Sequence, residues 1–196
     1  MVALILAAAL GIPANCTGCS FAGRDLHGAD LSRVSFVGVD FARSNLRDAN
    51  LRSANLTGVD FERADLRGAD FSDANLTGVD MTGAQLSGAR FRGTNMTGSD
   101  MHGDDLQGLD FSGDSLEGVD FSHADLRRTD LRGARLCWRN SDGRIGCADM
   151  RGADVGGTDL RGVLLCRSSG GVRSCEPVDA ATLRRETHSN LDGAIL

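Results

Sequence analysis

The chain has 196 residues, a formal net charge of −6, no Tyr, one Trp and 21 basic residues, all of them Arg. That length suits one domain with a buried core, and the acidic balance excludes nonspecific attraction to nucleic acid or an anionic membrane as a whole-molecule effect. Few aromatic residues and 26 Gly would suit a disordered chain, but the strict order of the residues overrules composition.

Residues 1–15, MVALILAAALGIPAN, are apolar and Ala-rich. They read as the apolar region of a secretory signal peptide, with cleavage expected after Ala14, although no Lys or Arg precedes the stretch. The stretch is short for a membrane span. The competing reading is an apolar cap over the segment that follows. Asn15 is a poor residue before a lipid-modified cysteine, which argues against an anchor at Cys16.

From Phe21 to Leu136 every fifth residue is Leu, Phe or Met, in twenty-four consecutive units. Five matches neither the helical period of 3.6 nor the strand period of 2, so the chain must repeat one short segment and one corner. Two places before the centre stands a small residue, Ala, Val, Ser or Thr in most units. Asp or Asn stands one place before it in eighteen of the twenty-four units, and Gly often stands two places after it, as at Gly28, Gly58, Gly78 and Gly98. The unit is thus A-(D/N)-(L/F)-x-G, as in ADLRG at 64–68 and ANLTG at 74–78. A fixed period of this kind dictates architecture.

Every twentieth residue also matches. One ladder is Phe21, Phe41, Phe61, Met81, Met101 and Phe121; a second, from Leu26 to Leu126, is all Leu; a third centres on Phe71, Phe91 and Phe111. These are faces one, two and three, and the ladder from Phe36 to Leu136 is face four. Like stacks on like when successive coils pack in register, because mismatched volumes leave voids or strain.

The unit closely resembles the pentapeptide-repeat family over about residues 19–165. The resemblance implies an all-β fold, a right-handed quadrilateral β-helix with four units per coil, here about eight coils. It also implies that the centre and the residue two before it point inward.

The middle of the chain is strongly acidic. Residues 70–126 carry eleven acids against Arg90 and Arg92, whereas residues 16–69 balance. Face one bears an unbroken ladder of Asp40, Asp60, Asp80, Asp100 and Asp120. Neighbours about 4.8 Å apart repel by about 1 kcal/mol or less in a water-like dielectric. Local hydrogen bonds, a cation or a basic partner must offset that repulsion. One coil also breaks the pattern: Asp104, Leu109 and Asp114 occupy the inward position two before the centre. A buried unpaired carboxylate is costly, so the coil is expected to be distorted or open there. It is the first place to look for a ligand or cation. Asp104, Asp105 and Asp114 join the face-one ladder as the candidate interaction surface.

After Leu136 the period is interrupted twice, by CWRNSDGRIGC (137–147) and CRSSGGVRSC (166–175). Both insertions leave the same corner one coil apart, and each holds turn-forming residues, Ser141-Asp142-Gly143 and Ser168 to Gly171. They read as hairpins bounded by Cys. With Cys16 and Cys19, the six cysteines Cys137, Cys147, Cys166 and Cys175 included suit disulfides in an exported chain. Spacing leaves open whether bridges staple each hairpin or join the two; zinc is the weaker alternative, because the spacings match no ribbon or finger. The period then resumes at Val178 and Leu183 and, after a slip, at Leu191 and Leu196. These four residues make an uncapped last coil, read as a candidate two-fold dimer end. Among the four histidines, His188 falls closest to an inward position.

No nucleophile, phosphate-loop, dinucleotide or His-rich metal motif is present. The expectation is a non-catalytic, periplasmic or secreted structural or protein-interaction rod with no cofactor. Its partner is an unidentified, basic protein, not nucleic acid, and it contacts no membrane once the leader is removed. The family resemblance supplies an alternative: a cytoplasmic, DNA-mimicking protein that binds type II topoisomerase, as in quinolone resistance. The acidic belt suits it; the leader and cysteines oppose it.

Overall fold

The structure, a computed structural model, describes residues 10–139, 143–169 and 172–196, with backbone only at residues 168, 169, 172 and 173. Residues 1–9, most of the stretch expected to be a leader, and the hairpin tips, Ser141-Asp142 and Gly170-Gly171 among them, lie outside the described residues.

The repeat makes a four-sided solenoid in which each unit hydrogen-bonds to the coils on both sides. Phe61 N donates to Asp80 O at 2.7 Å and Asp60 N donates to Val39 O at 2.9 Å. Parallel bridges link residues twenty apart, for example Asp40 to Asp60 and Asp60 to Asp80. The centre turns inward, and every centre from Leu26 to Leu136 is at most 1% exposed. Aromatic columns form as the sequence predicts. Phe21, Phe41 and Phe61 stack at 5.3 and 5.6 Å, and Phe71, Phe91 and Phe111 follow at 5.2 and 5.0 Å.

The corner explains the rest of the unit. The residue two after each centre from Phe21 to Leu131 is left-handed, with φ of 72° at Gly68 but also 56° at Arg63 and 63° at Asp73. Ala64 N closes that turn on Phe61 O at 2.9 Å, as in a type II turn, which favours Gly at this place. The Asp or Asn before the centre accepts from the amide two residues on. Asp60 takes Glu62 N at 2.7 Å and Asn75 takes Thr77 N at 3.3 Å. An Asx side chain thus holds each corner.

At the amino end, Ile12 is buried and Leu10 packs against the core. Ser35 N donates to Ala14 O, and strand β1 (Asn15–Thr17) pairs in parallel with β2 (Ser35–Val37). Residues 10–15 therefore sit as an apolar cover on the first coil.

The two insertions form a single four-stranded sheet. Strands β3 (Arg135–Arg139) and β4 (Ile145–Cys147) make one hairpin; β5 (Leu164–Ser169) and β6 (Val172–Pro177) make the other. β3 and β5 lie side by side in parallel, giving the order β4-β3-β5-β6. Disulfides join Cys16 to Cys19, Cys137 to Cys147 and Cys166 to Cys175. In each hairpin the two cysteines are directly cross-strand partners. Each hairpin is therefore stapled at its own base, and the coil-joining alternative does not occur.

The carboxyl end departs from the sequence expectation of an uncapped coil. Residues Ala180–Thr187 form helix α1, with Asp179 as N-cap accepting from Thr182 N at 2.8 Å and His188 as a left-handed C-cap. AATLRRET lacks the Asp or Asn and the Gly that a coil corner needs, whereas Ala, Leu and Arg favour helix. Val178 is half-buried, Leu183 and Leu191 are buried, and His188 is exposed rather than inward. The coil resumes at Thr187, whose carbonyl accepts from Met150 N, and Leu160 N donates to Ile195 O. Of the four residues expected at a dimer end, only Leu196 is broadly exposed, at 48%, beside Ile195 at 47%.

Candidate functional site

Two features stand out from the repeat. The first is an open junction between the coil centred on Met81 to Met96 and the coil centred on Met101 to Leu116. On faces one and four the usual bonds cross it, from Met81 N to Asp100 O and from Met96 N to Ser115 O. On faces two and three they are missing among the described residues: no bridge joins Gln85 to Asp105 or Arg90 to Asp110, although both neighbours in each column are bridged. The flanking Gln85, Arg90, Asp105 and Asp110 are all exposed, while Asp65, Asp70, Asp125 and Asp130 in the same columns are half-buried.

The three misfit residues explain the opening. Asp104 and Asp114 do point inward, at 3% and 0% exposure. Each takes an amide from the coil below: Asp104 accepts from Gly83 N at 2.7 Å and Asp114 from Thr94 N at 2.9 Å. In the neighbouring coil, Gly103 N instead reaches a backbone carbonyl, Ser122 O. Leu109 fills a place held by Ala69 and Ala89 on face three, and excess volume forces coils apart. It lines a 160 Å³ cleft with Ser87, Asp105 and Gln107. The coil is open there, as its misfit residues predict: the ladder parts beside the two carboxyls, and the carboxyls themselves stay buried.

Their second oxygens, Asp104 Oδ2 and Asp114 Oδ2, have no hydrogen-bond partner. Burial, countered by the Gly83 amide and reinforced by Asp100 and Asp80, lifts Asp104 to about 7. Burial likewise lifts Asp114 to about 7 against the amides of Thr94 and Gly93, with Asp110 adding repulsion. Elsewhere this inward place holds hydroxyls that donate to the coil below, Ser99 to Leu76 O at 2.8 Å and Thr129 to Leu106 O at 2.9 Å. The position favours a donor, and a carboxyl donates only when protonated.

The second feature is the acidic ladder on face one. Asp40, Asp60, Asp80, Asp100 and Asp120 are bridged in sequence and continue to Asp149. The hairpin insertion hides that continuation in the sequence by shifting the register. Each carboxylate caps its own corner; Asp80, Asp100 and Asp120 accept from Thr82, His102 and Ser122 amides at 2.8–2.9 Å. Those local bonds offset the repulsion between neighbours. Arginines neutralise other columns. Arg67 pairs with Asp65, Arg127 with Asp125, Arg132 with Asp130 and Arg161 with Asp159. The arginine beside each holds Asp65, Asp125 and Asp130 below the usual carboxylate range, and Asp159 at about 2. Along the Asp ladder itself, among the described residues, an arginine pair first appears at Asp149, with Arg151. Asp105 lies exposed beside the junction, off the face-one ladder.

Among the described residues, no group of three or more His, Cys, Asp or Glu could hold a metal ion, and no helix is long and apolar enough to cross a membrane.

No curated protein sequence matches the chain. Solved structures share its fold. QnrB1, a plasmid-mediated fluoroquinolone resistance protein, superposes in its full-length form with a TM-score of 0.60 at 21% identity, covering 92% of this chain and 83% of that one. Rfr23, a pentapeptide repeat protein from the cyanobacterium Cyanothece 51142, gives a TM-score of 0.52 at 22% identity, covering 65% of this chain and 97% of that one. The family profile for pentapeptide repeats matches residues 14–52, 44–83, 84–113 and 105–138. With that match over most of the solenoid, and with its right-handed four-sided coil, the chain belongs to the pentapeptide-repeat family.

Proposed function

We propose that this protein is a non-catalytic, exported interaction rod whose face-one carboxylates dock a basic protein surface. The observation that carries the proposal is the ladder from Asp40 to Asp120, which among the described residues runs without a bridging arginine while carboxylates of the face-two and face-three columns are paired. Fixed, evenly spaced charges of one sign steer and orient an oppositely charged partner. The three disulfides support export, because such bonds persist in oxidising compartments. The test is to fractionate cells and take the amino-terminal sequence and intact mass of the mature protein. Expected are a periplasmic or secreted form, three disulfides and a start at Asn15. A cytoplasmic protein with six free thiols overturns export; a retained Ile12 assigns residues 10–15 to the cover seen on the first coil.

The same ladder favours a second reading, a topoisomerase-binding DNA mimic, and the fold likeness to QnrB1 is compatible with it. Purified protein is expected neither to inhibit gyrase supercoiling nor to protect gyrase from a fluoroquinolone at micromolar concentration. A dose response that is lost when Asp80, Asp100 and Asp120 become Asn would replace the first reading.

We also propose a homodimer through the exposed pair Ile195 and Leu196. Leu191 is buried, so Leu196→Arg is the cleaner probe. It should convert a dimer to a folded monomer in light scattering, and a native monomer at tens of micromolar rules the dimer out.

A further inference from the structure

Arg90 and Arg92 are the only basic residues between residues 70 and 126, amid eleven acids. Both line one notch of about 590 Å³ on face three, together with Arg52, Ser72, Asp73 and Asp110. That volume lies within the range of small-molecule sites. Three arginines thus converge at one spot in the most acidic part of the solenoid.

The open junction makes the notch. Arg90 stands where the repeat asks for Asp or Asn, so the Asx bond that would tie down the Arg92 amide is lost. The missing bridge between Arg90 and Asp110 leaves the coils unzipped above it. Ala89, which lines the notch, is 7% exposed, whereas Ala49 and Ala69 in the same column are 1% and 0%.

The charges are only partly matched inside the notch. Arg52 reaches Asp70 at 3.3 Å and Asp73 at 3.7 Å. Arg90 approaches the same Asp70 at 3.9 Å. Asp70 is also committed to the Ser72 hydroxyl and amide, at 2.6 and 2.9 Å. Arg92 adds a third guanidinium. Asp73 and Asp110 on the rim disfavour a ligand whose charge is not focused on the arginines.

We propose that this notch is a binding site for a small, multiply charged oxyanion, a phosphate or polycarboxylate group gripped by Arg90 and Arg92 with Arg52 behind them. Planar guanidinium forks match the paired oxygens of such groups. The site is separate from the face-one ladder, and it holds whether or not that ladder docks a protein.

Isothermal titration calorimetry at constant ionic strength tests it, with inorganic phosphate and citrate as separate ligands and chloride as the screening control. Saturable one-to-one binding of phosphate, citrate or both is expected, and their relative strength tells which oxyanion the notch prefers. Arg92→Gln should weaken binding by about tenfold or more. Arg43→Gln, an exposed arginine on face one, should leave it unchanged. Circular dichroism melts of both variants separate lost binding from lost folding, and Arg92→Lys, which keeps the charge but not the fork, should give an intermediate affinity. Absence of saturable binding at millimolar phosphate and citrate overturns the proposal, as does an equal loss in Arg43→Gln.

Discussion

At pH 8 the double substitution Asp104→Asn with Asp114→Asn should raise the unfolding temperature by about 15 °C or more, and at pH 4 it should change it little. Both carboxyls titrate near 7 in the folded protein, against about 3.9 for an unfolded Asp. Between those values the folded chain binds more protons than the unfolded chain, so stability falls as pH rises. The favourable neutral form is fully present below about pH 4 and is lost as pH passes through 7. A shift of about three units corresponds to a penalty on the order of 4 kcal/mol per residue above pH 7. A kcal/mol moves the melting point of a chain this size by about 2–4 °C. Asn keeps the oxygen that accepts from Gly83 N or Thr94 N and removes the buried charge. Hydrogen exchange should show the same trend locally, with the amides of Leu86 and Phe91, unpaired across the junction, exchanging faster at pH 8 than at pH 5 after correction for intrinsic rates. Parallel melting curves for native and variant protein across this range would refute the assignment.

The second large effect is expected at Leu66. Leu66→Asp should cost several kcal/mol, because it puts an unpaired carboxylate into a continuous leucine column between Leu46 and Leu86. Asp65→Asn, one residue away, should cost under about 1 kcal/mol. Asp65 is outside the core and pairs with the half-buried Arg67 through two hydrogen bonds, and ion pairs in contact with water contribute little. Asn preserves the acceptor for the Arg67 amide, as Asn45 does for Arg47. Comparable losses in denaturant melts for the two would invert the inward and outward assignment. The contrast also separates this column from Asp104, where the chain already tolerates a buried carboxyl by opening its ladder.

The period of five and the ladder at twenty, with the family resemblance that the unit carries, made the solenoid, its four faces and its inward residues legible. Those features are local and recur in most units, with the apolar centre in every one from Phe21 to Leu136, so nearly every unit states the same corner and no distant information is needed. ADLRG encodes an Asx cap, an inward leucine and a left-handed corner within five residues. The misfits at Asp104, Leu109 and Asp114 were legible for the same reason, as departures from a strict pattern.

Only the tertiary structure decided what those departures do. Whether a carboxyl at an inward place draws in water or takes an amide from its neighbour depends on the coil below. Here Gly83 and Thr94 supplied the amides. The convergence of Arg52 with Arg90 and Arg92 depends on stacking across coils, which sets residues forty apart on one face. The disulfide pairing depended on cross-strand register in the hairpins, which cysteine spacing leaves open. At the carboxyl end, Val178 and Leu183 kept the five-residue spacing but lacked the Asx and Gly residues that make the corner. The helix starting at Ala180 prevailed there because Asp179 capped it and Leu183 could still reach the core from its inner face. Spacing alone placed the apolar residues; the corner chemistry between them decided whether the chain would coil.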